Sequence, residues 1–287
     1  MSGNQDQELR SLVSLLPSIR RARFWRLYAE DGRRFLDLWA QGGRGILGAR
    51  GDALGRVMKE NVDRGLSAPL PSVWRGRLEK ALLAWKPDYA AVRFFLSEER
   101  ARAAFDASRS AFEALGGAET PSGIERKRSL GIERPMGEYL YSAEYAGAST
   151  DRGEAGKAHT ALAILPCPAA WSPAVLLFRD PAEAERIESD LVPPQMLAVG
   201  TRSLAELSKF SSRVGEKHWR RADRRIAGLF HRAGPWLIPA YPEERHASIF
   251  RACLERGLLI SPDYALPSLL PGDFDDGELK PLGELRP

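Results

Sequence analysis

Apolar residues recur along the chain at two spacings, and the commoner spacing is helical. In residues 8–20 apolar side chains lie three and four positions apart, which places them on one face of a helix. Residues 97–115 form the clearest amphipathic pattern, which ends at two glycines. The same spacing predicts further helices at residues 52–64, 72–85, 194–210, 213–233 and 243–256.

Short apolar runs bounded by turn residues predict the strands. The run from Tyr89 to Leu96 follows Pro87 and leads directly into the helix of residues 97–115, an arrangement that indicates an α/β protein. Two more runs, TALAILP and PAVLLF, are joined by a proline-rich turn at 166–173. Aromatic and apolar runs on both sides of Asp31-Gly32 predict a hairpin. WLIPAY and GLLIS predict later strands, whereas residues 117–157 are polar and rich in turn residues.

Composition narrows the class of protein. The 287 residues are 44% hydrophobic and 28% charged, which is typical of a soluble globular protein with a substantial core. Cys167 and Cys253 are the only cysteines, and the four histidines show no ligand spacing, so we predict neither a disulfide framework nor a metal site. No apolar run is long enough to cross a bilayer, and the N-terminus does not resemble a signal peptide. We therefore predict a cytoplasmic protein that does not enter membranes.

The charge pattern raises the question of nucleic-acid binding. The net charge is +4, and arginines cluster at Arg21, Arg23 and Arg26 and again at residues 220–225. Either cluster could bind phosphates. Acidic residues interrupt the second cluster and no nucleic-acid-binding motif accompanies either, so we interpret both as solvated helix faces. Nucleic-acid binding is therefore the least favoured interpretation of the function.

Four segments, in order over most of the chain, resemble the class III aminotransferases that depend on pyridoxal phosphate (PLP). LYAEDGRRFLDLWAQGGRGILGARGDAL is similar to the opening hairpin and glycine-rich loop of this family, although Ala49 stands where a histidine is usual. AVRFFLSEERARAAFDASR resembles its strand–turn–helix, and SDLVPPQMLAVGTRSLAEL resembles a later helix. The segment from Ile249 onward is similar to its C-terminal small domain. Ornithine aminotransferase and glutamate-1-semialdehyde aminomutase belong to this family.

The resemblance implies an α/β architecture, the PLP-transferase fold type I. Its large domain would be a reduced three-layer αβα unit with a mainly parallel sheet, formed by residues 51–207. Residues 208–287 would form a smaller α+β domain, to which residues 1–50 would contribute together with part of a dimer interface. The resemblance thus implies a homodimer, and interfaces of this kind are rich in large aromatic side chains. The candidates for that interface are Trp25, Trp39 and Trp74.

The turn after the first strand departs from the family. There the family has Gly and Thr at the start of a helix, and the amides and hydroxyl bind the cofactor phosphate. Here the residues are Ser97, Glu98, Glu99 and Arg100. Two carboxylates within a few ångströms of a dianion would repel it by several kcal/mol at an effective dielectric of about 20. The resemblance therefore implies a lost phosphate site, in which Glu98 and Glu99 complement the helix dipole.

The position of the cofactor lysine also departs from the family. The family places it in the pattern L-x-K-x-x-x-G-G-x-P before an apolar strand. The similar segment ILPCPAAWSPAVLLF has Cys167 near that position, and a thiol cannot form the aldimine. Lys157 is a nearby rival in polar surroundings typical of a surface lysine. Cys167 could instead act as a nucleophile with His159, but a buried structural cysteine is the preferred interpretation.

A third departure is a deletion between the helix that ends near Leu115 and the strand near Ala161. In the family this stretch supplies the aromatic stacking on the cofactor ring and the Asp of a "D-E-V" strand that binds the ring nitrogen. No apolar run followed by Asp-Glu occurs here, and the tyrosines of EYLYSAEY could either stack on a ring or anchor a loop. Ser189 stands where the family has a Thr that reaches the phosphate of the neighbouring subunit.

We therefore expect an aminotransferase-like protein that has lost PLP binding and activity and acts as a non-catalytic binding or regulatory paralogue. No catalytic residue, cofactor or metal is predicted. The alternatives are a divergent but active PLP-dependent aminotransferase or aminomutase and a basic nucleic-acid-binding protein. A vestigial cleft at the C-terminal ends of the strands would favour a cationic or hydroxyl-rich small molecule. Its expected lining is Gly42–Gly48, Ser97, Glu98, Glu99, Arg100, Cys167, Trp171 and Ser189.

Overall fold

The computed structural model describes residues 11–49, 51–114, 130–136 and 158–285. The chain divides into two compact units. Unit 1 consists of Met1–Asp52, Pro135–Tyr139 and Glu206–Pro287. Unit 2 consists of Ala53–Arg134 and Leu140–Ala205.

Both units contain strands and helices. The strands are β1 (Ile19–Arg23), β2 (Arg26–Ala29), β3 (Arg34–Asp37), β4 (Ala91–Phe95), β5 (Gly131–Glu133), β6 (Thr160–Ala163), β7 (Ala174–Phe178), β8 (Phe230–Ala233), β9 (Trp236–Pro239), β10 (Leu258–Leu259) and β11 (Ser268–Leu269). The helices are α1 (Gly51–Asp63), α2 (Val73–Trp85), α3 (Glu98–Ala114), α4 (Pro181–Glu185), α5 (Pro194–Ser211), α6 (Glu216–Trp219), α7 (Asp223–Ile226), α8 (His246–Glu255) and α9 (Lys280–Glu284). Among the described residues, no helix is both long enough and apolar enough to cross a membrane.

The sheet of unit 2 has the strand order β4-β7-β6-β5. β7 is antiparallel to both of its neighbours, whereas β5 is parallel to β6, so β4, β5 and β6 all run in one direction. Phe95 lies opposite Ala174, and Ala163 lies opposite Val175. The C-terminal ends of β4 and β6 therefore meet at the same edge of the sheet, on either side of the start of β7.

Helices cover both faces of this sheet, which explains why its strands are continuous apolar runs. On one face, Phe95 and Leu176 pack with Ala101 of α3 and Ala184 of α4. On the opposite face, α2 packs against β4, and Gly200 of α5 is so close to Leu165 and Leu78 that an added Cβ would lie 3.1 and 3.2 Å from them. The predicted three-layer αβα architecture is thus confirmed. The sheet itself is mixed rather than mainly parallel, because β7 makes two of its three strand pairings antiparallel.

Unit 1 contains two further sheets, with the orders β1-β2-β3-β10 and β11-β9-β8. β1 and β3 are each antiparallel to β2, which lies between them, and β10 is parallel to β3. The predicted hairpin at Asp31-Gly32 is present between β2 and β3, where Gly32 has a φ of +86° and the Asp31 carboxylate accepts the N–H of Arg33 at 3.0 Å. A positive φ at this turn is the reason for a glycine.

Three expectations from the pattern need correction. Residues 213–233 are not one helix: α6, a 3₁₀ turn, α7 and β8 replace it. The guanidinium of Arg232 on β8 pairs with Glu216 and Asp223, and these ion pairs hold the short helices beside the strand. β1 lies in the first arginine cluster, where we had expected a helix face, and β5 lies in the stretch expected to be turns. Helix 8–20 is described only from residue 11, and its helical part ends at residue 13.

Trp25 was expected at a dimer interface, and that expectation is wrong. Its side chain is only 6% exposed within the chain, and its indole N–H donates to the carbonyl of Ile46 at 3.2 Å. Its ring lies 6.3 Å from that of Phe210. Trp25 therefore belongs to the core of unit 1, whereas Trp39 and Trp74 are half-buried.

At the start of the glycine-rich loop of unit 1, two backbone N–H groups bind the carboxylate of Asp37. One oxygen of Asp37 accepts the N–H groups of Trp39 and Ala40 at 3.0 and 2.9 Å. Burial raises the pKa of the Asp37 carboxyl, although these two N–H groups oppose the rise. A Cβ on Gly43, where φ is +105°, would lie 2.8 Å from the ring of Trp236, so this position requires glycine.

Candidate functional site

The turn that follows β4 is capped by its own residues. The hydroxyl of Ser97 accepts the N–H of Arg100 at 3.3 Å, as expected at the N-terminus of a helix. Glu98 and Glu99 lie in the first turn of α3, where they complement the positive end of the helix dipole. A hydrogen bond from Ser97 is the main reason that the pKa of Glu99 is lowered. The acidic start of α3 is therefore stabilised without a bound anion.

Arg100 is held by a carboxylate from a distant part of the chain. Its Nε and Nη2 donate to the two oxygens of Asp190 at 2.6 and 2.5 Å, a bidentate arrangement. The same carboxylate accepts the N–H of Leu96 at 3.0 Å. The hydrogen bond from Arg100 is the main reason that the pKa of Asp190 is lowered. Asp190 thus joins the end of β4 to the start of α3.

Ser189 lies beside the open edge of β4. Its hydroxyl accepts the N–H of Phe94 at 3.1 Å, and the N–H of Asp190 donates to the carbonyl of Phe94 at 2.8 Å. The structure therefore brings Ser189 close to the turn at Ser97 of the same chain. Its hydroxyl, however, completes the hydrogen bonding of a strand.

The turn between β6 and β7 contains the other two predicted residues. Cys167 is only 1% exposed, and its N–H donates to the carbonyl of Leu165 at 2.8 Å. Trp171 ends a short 3₁₀ turn and is half-buried. Since this turn follows β6, it lies at the same edge of the sheet as the turn after β4. His159, considered as a partner for Cys167, lies before the other end of β6, so the two do not form a catalytic pair.

The remaining residues considered in the sequence analysis are the glycine-rich loop, Lys157 and the tyrosines of EYLYSAEY. Gly42–Gly48 belongs to unit 1, whereas Ser97, Cys167 and Ser189 belong to unit 2. Lys157 and the tyrosines of EYLYSAEY lie outside the described residues. The structure thus joins the two turns and Ser189 at one sheet edge of unit 2.

Glu133 is a buried acidic residue that sequence reasoning missed. It ends β5, directly beside β6, and its side chain is 9% exposed. One carboxylate oxygen forms an ion pair with the ammonium of Lys86, and the other accepts the hydroxyl of Tyr89 at 2.7 Å. The signal was a short apolar run, Leu130 to Ile132, followed by an acid. It was overlooked because a three-residue strand shows no clear periodicity.

A second cation lies beside this group. The guanidinium of Arg179 lies 5.7 Å from the ring centre of Tyr89, within the range of a cation–π contact. Its Nε donates to the carbonyl of Ala158 at 3.1 Å, and its buried Nη2 has no hydrogen-bond partner among the described residues. The ammonium of Lys86 also lies 5.0 Å from the ring centre of Trp85. Glu133 is therefore the carboxylate of a buried and mainly cationic cluster.

The described residues at this sheet edge do not fit PLP. The helix start that would receive the phosphate carries two carboxylates, and its arginine is engaged by Asp190. The turn after β6 offers a buried thiol where an aldimine would need an amine. The described lysines of unit 2 are Lys59, Lys80 and Lys86, all of which belong to or directly follow α1 and α2. None of them lies on either turn.

Comparison with known sequences reveals relatives without an established activity. No family model matches the chain. A protein of Borreliella burgdorferi described only as uncharacterized is 27% identical over 269 residues, which cover 93% of this chain and 89% of the relative. A second uncharacterized protein, from Treponema pallidum, is 26% identical over 285 residues and covers 88% of each chain.

Comparison with solved structures reveals aminotransferases. An omega-transaminase from Sphaerobacter thermophilus aligns with a TM-score of 0.65 and 13% identity, over 99% of this chain and 96% of the other. The N-acetylornithine aminotransferase of Stenotrophomonas maltophilia K279a aligns with a TM-score of 0.62 and 17% identity, over 96% of this chain and 97% of the other. The ornithine delta-aminotransferase of Plasmodium falciparum aligns with a TM-score of 0.61 and 12% identity, over 98% of this chain and 96% of the other. At such identities the likeness shows the fold alone: this chain has the α/β fold of the PLP-dependent transferases, fold type I.

Proposed function

We propose that this protein has the aminotransferase fold without PLP-dependent transamination, and that it acts as a non-catalytic binding or regulatory paralogue. The observation that carries the proposal is the turn at Ser97. Where the family has Gly and Thr, this chain has Glu98 and Glu99, and Arg100 is bound to Asp190. A phosphate dianion placed there would meet two carboxylates and would have to compete with Asp190 for the arginine.

The turn after β6 supports the same proposal. Cys167 stands near the position of the family's lysine and is 1% exposed. A thiol forms no imine with an aldehyde, and burial in apolar surroundings keeps it unreactive. The role of Cys167 is then to fill space beside the strand.

Glu133 gives further support. The family's Asp, which binds the ring nitrogen, belongs to the D-E-V strand, and Glu133 ends β5 beside β6. We infer that Glu133 stands in for that residue. Both of its oxygens are engaged, one by Lys86 and one by Tyr89. A pyridinium could bind Glu133 only by displacing the ammonium group of Lys86. Lys86 would then be left as an unpaired cation.

The decisive experiment is chemical trapping. The purified protein would be incubated with PLP, reduced with borohydride and mapped by peptide mass spectrometry, with an active omega-transaminase as the positive control. We expect no specific pyridoxyl-lysine and no visible absorption band. A single pyridoxyl-lysine at high occupancy, at Lys157, Lys86 or elsewhere, would establish the alternative of a divergent but active PLP enzyme.

We also propose a ligand class for the edge of the sheet. Glu98 is half-buried and Glu99 is exposed at the start of α3, so a ligand there meets negative charge and should be cationic or rich in hydroxyls. The double substitution Glu98→Gly and Glu99→Thr removes both charges. Calorimetric titration with pyridoxamine phosphate should then show at least a tenfold gain in affinity, about 1.4 kcal/mol. If affinity is unchanged, the former phosphate site has been misplaced.

A homodimer is proposed on the strength of exposed apolar side chains in unit 2. Val73 is 70% exposed, Leu191 is 56% exposed and Leu96 is 45% exposed. A contiguous exposed apolar patch marks an interaction site, and we propose that these side chains belong to one. Light scattering at micromolar concentration should give a dimer mass, and Leu191→Asp should shift it toward the monomer. A monomeric mass for the wild type would reject the dimer.

A further inference from the structure

The first strand of unit 1 is an open edge. β1 pairs with β2 on one side, and no described strand pairs with it on the other. All five of its residues are exposed, including Ile19, whose side chain is 38% exposed. Phe24 follows β1 in the turn to β2; its main chain forms a bridge with Ala49, and its side chain is also 38% exposed. An edge strand with unpaired N–H and C=O groups can accept another extended chain.

The arginines of β1 differ from those of the neighbouring strands. Arg26 pairs with Glu278 and Asp273, Arg33 with Asp31, and Arg34 with Glu278. Arg20, Arg21 and Arg23, in contrast, form no ion pair within the described structure. Among the described residues, ion pairs thus engage the arginines of β2 and β3 but none of the arginines of β1, the strand with the open edge.

Two of these arginines are held against aromatic rings. The guanidinium of Arg21 lies 4.5 Å from the ring centre of Tyr28, and that of Arg23 lies 5.8 Å from that of Phe24. A cation–π contact orients the guanidinium but uses none of its N–H donors in an ion pair. Because they are two residues apart on a strand, Arg21 and Arg23 lie on one face at a spacing of roughly 7 Å.

We propose that β1 is a docking edge for an extended acidic segment of another protein. Such a segment would extend the sheet through main-chain hydrogen bonds. Carboxylates at alternate positions would match the spacing of Arg21 and Arg23, since side chains on one face of the added strand repeat at the same distance. Ile19 and Phe24 would cover apolar residues at the ends of the segment.

Two other occupants fit less well. A second copy of this chain paired through β1 would bring the arginines of both copies together, and like charges on paired strands are destabilising. A nucleic-acid strand would use the arginines but not the exposed main chain. Moreover, Arg21 already covers the ring of Tyr28, on which a base would stack. Extended shape, open backbone and positive charge together favour an acidic peptide.

The test uses a fluorescein-labelled peptide in which Asp and Thr alternate, with fluorescence anisotropy at low salt. The double variant Arg21→Ser and Arg23→Ser should bind it about tenfold more weakly, since two exposed ion pairs contribute roughly 0.7 kcal/mol each. Binding should also slow amide hydrogen exchange at Arg20–Arg23, because main-chain hydrogen bonds protect these groups.

The matched control is Arg224→Ser with Arg251→Ser, which removes the same charge from two other exposed arginines of unit 1. It should bind the peptide as the wild type does. An oligothymidylate of equal charge is the second probe. Equal losses in both double variants, equal binding of the oligothymidylate without protection of β1, or no peptide binding at all would each overturn the proposal. Far-ultraviolet circular dichroism shows whether the variants fold.

Discussion

The ion pair between Lys86 and Glu133 allows a quantitative test of what stabilises unit 2. Lys86 follows α2 and Glu133 ends β5, so the pair joins two elements that are distant in sequence. Lys86→Met removes the ammonium group but keeps a similar apolar stem. Among the described residues, the substitution leaves the carboxylate of Glu133 with the hydroxyl of Tyr89 as its remaining side-chain partner.

The magnitude follows from the burial of the pair. Removing one partner of a buried ion pair costs about 3–5 kcal/mol because the other charge is left uncompensated. The side chains of Lys86 and Glu133 are 18% and 9% exposed, so some water reaches them. We therefore expect the lower end, about 3 kcal/mol. Tyr89→Phe removes a single hydrogen bond to a charged acceptor and should cost about 1.5 kcal/mol.

A double-mutant cycle isolates the interaction. Urea unfolding would be followed by tryptophan fluorescence and by far-ultraviolet circular dichroism, and the free energies compared at equal m-values. Lys86→Met combined with Glu133→Gln removes both charges. This double variant should recover most of the lost stability and lie within about 1.5 kcal/mol of the wild type.

Lys80→Met is the matched control, because Lys80 lies on α2 but is exposed. It should change the free energy of unfolding by less than about 0.5 kcal/mol. If Lys86→Met were equally mild, or if the two single changes simply added in the double variant, the buried pair would have no special role in unit 2.

Two further outcomes follow from the geometry. Gly43→Ala should lower the free energy of unfolding by about 3 kcal/mol, because the new Cβ would meet Trp236 and the positive φ strains an alanine. Gly65→Ala is the control, since Gly65 has a φ of +73° but open space around it, and it should cost only about 1 kcal/mol. Thermal unfolding compares the two. Asp190 has a lowered pKa when folded, so the stability that it contributes is present above its unfolded pKa of about 3.9 and is lost as the pH falls through the folded value. The stability advantage of the wild type over Asp190→Asn should therefore shrink below pH 4, and parallel curves would show that Arg100 does not stabilise the ionised form.

Elements with a strong local pattern were predictable from the sequence. α2, α3, β4 and the pair β6 and β7 lie where periodicity and turn residues predicted them. Their signals are local, since an amphipathic face or an apolar run can be recognised within the segment itself. The hairpin at Asp31-Gly32 belongs to the same group.

Elements without such a pattern depended on partners elsewhere in the chain. β1 is a strand because β2 pairs with it, although its own residues are mostly arginines. β5 has three residues and is defined by its pairing with β6. The break between α6 and β8 is accompanied by the ion pairs of Arg232 with Glu216 and Asp223.

The candidate site divides in the same way. The sequence by itself determined which residue types stand in the turns after β4 and β6: acids at the start of a helix and a thiol before a strand. Only the tertiary structure placed Asp190 on Arg100 and Lys86 on Glu133, across 90 and 47 residues of chain. The physical reason is that charge and propensity are properties of a segment, whereas the partner of a charge depends on how the whole chain packs.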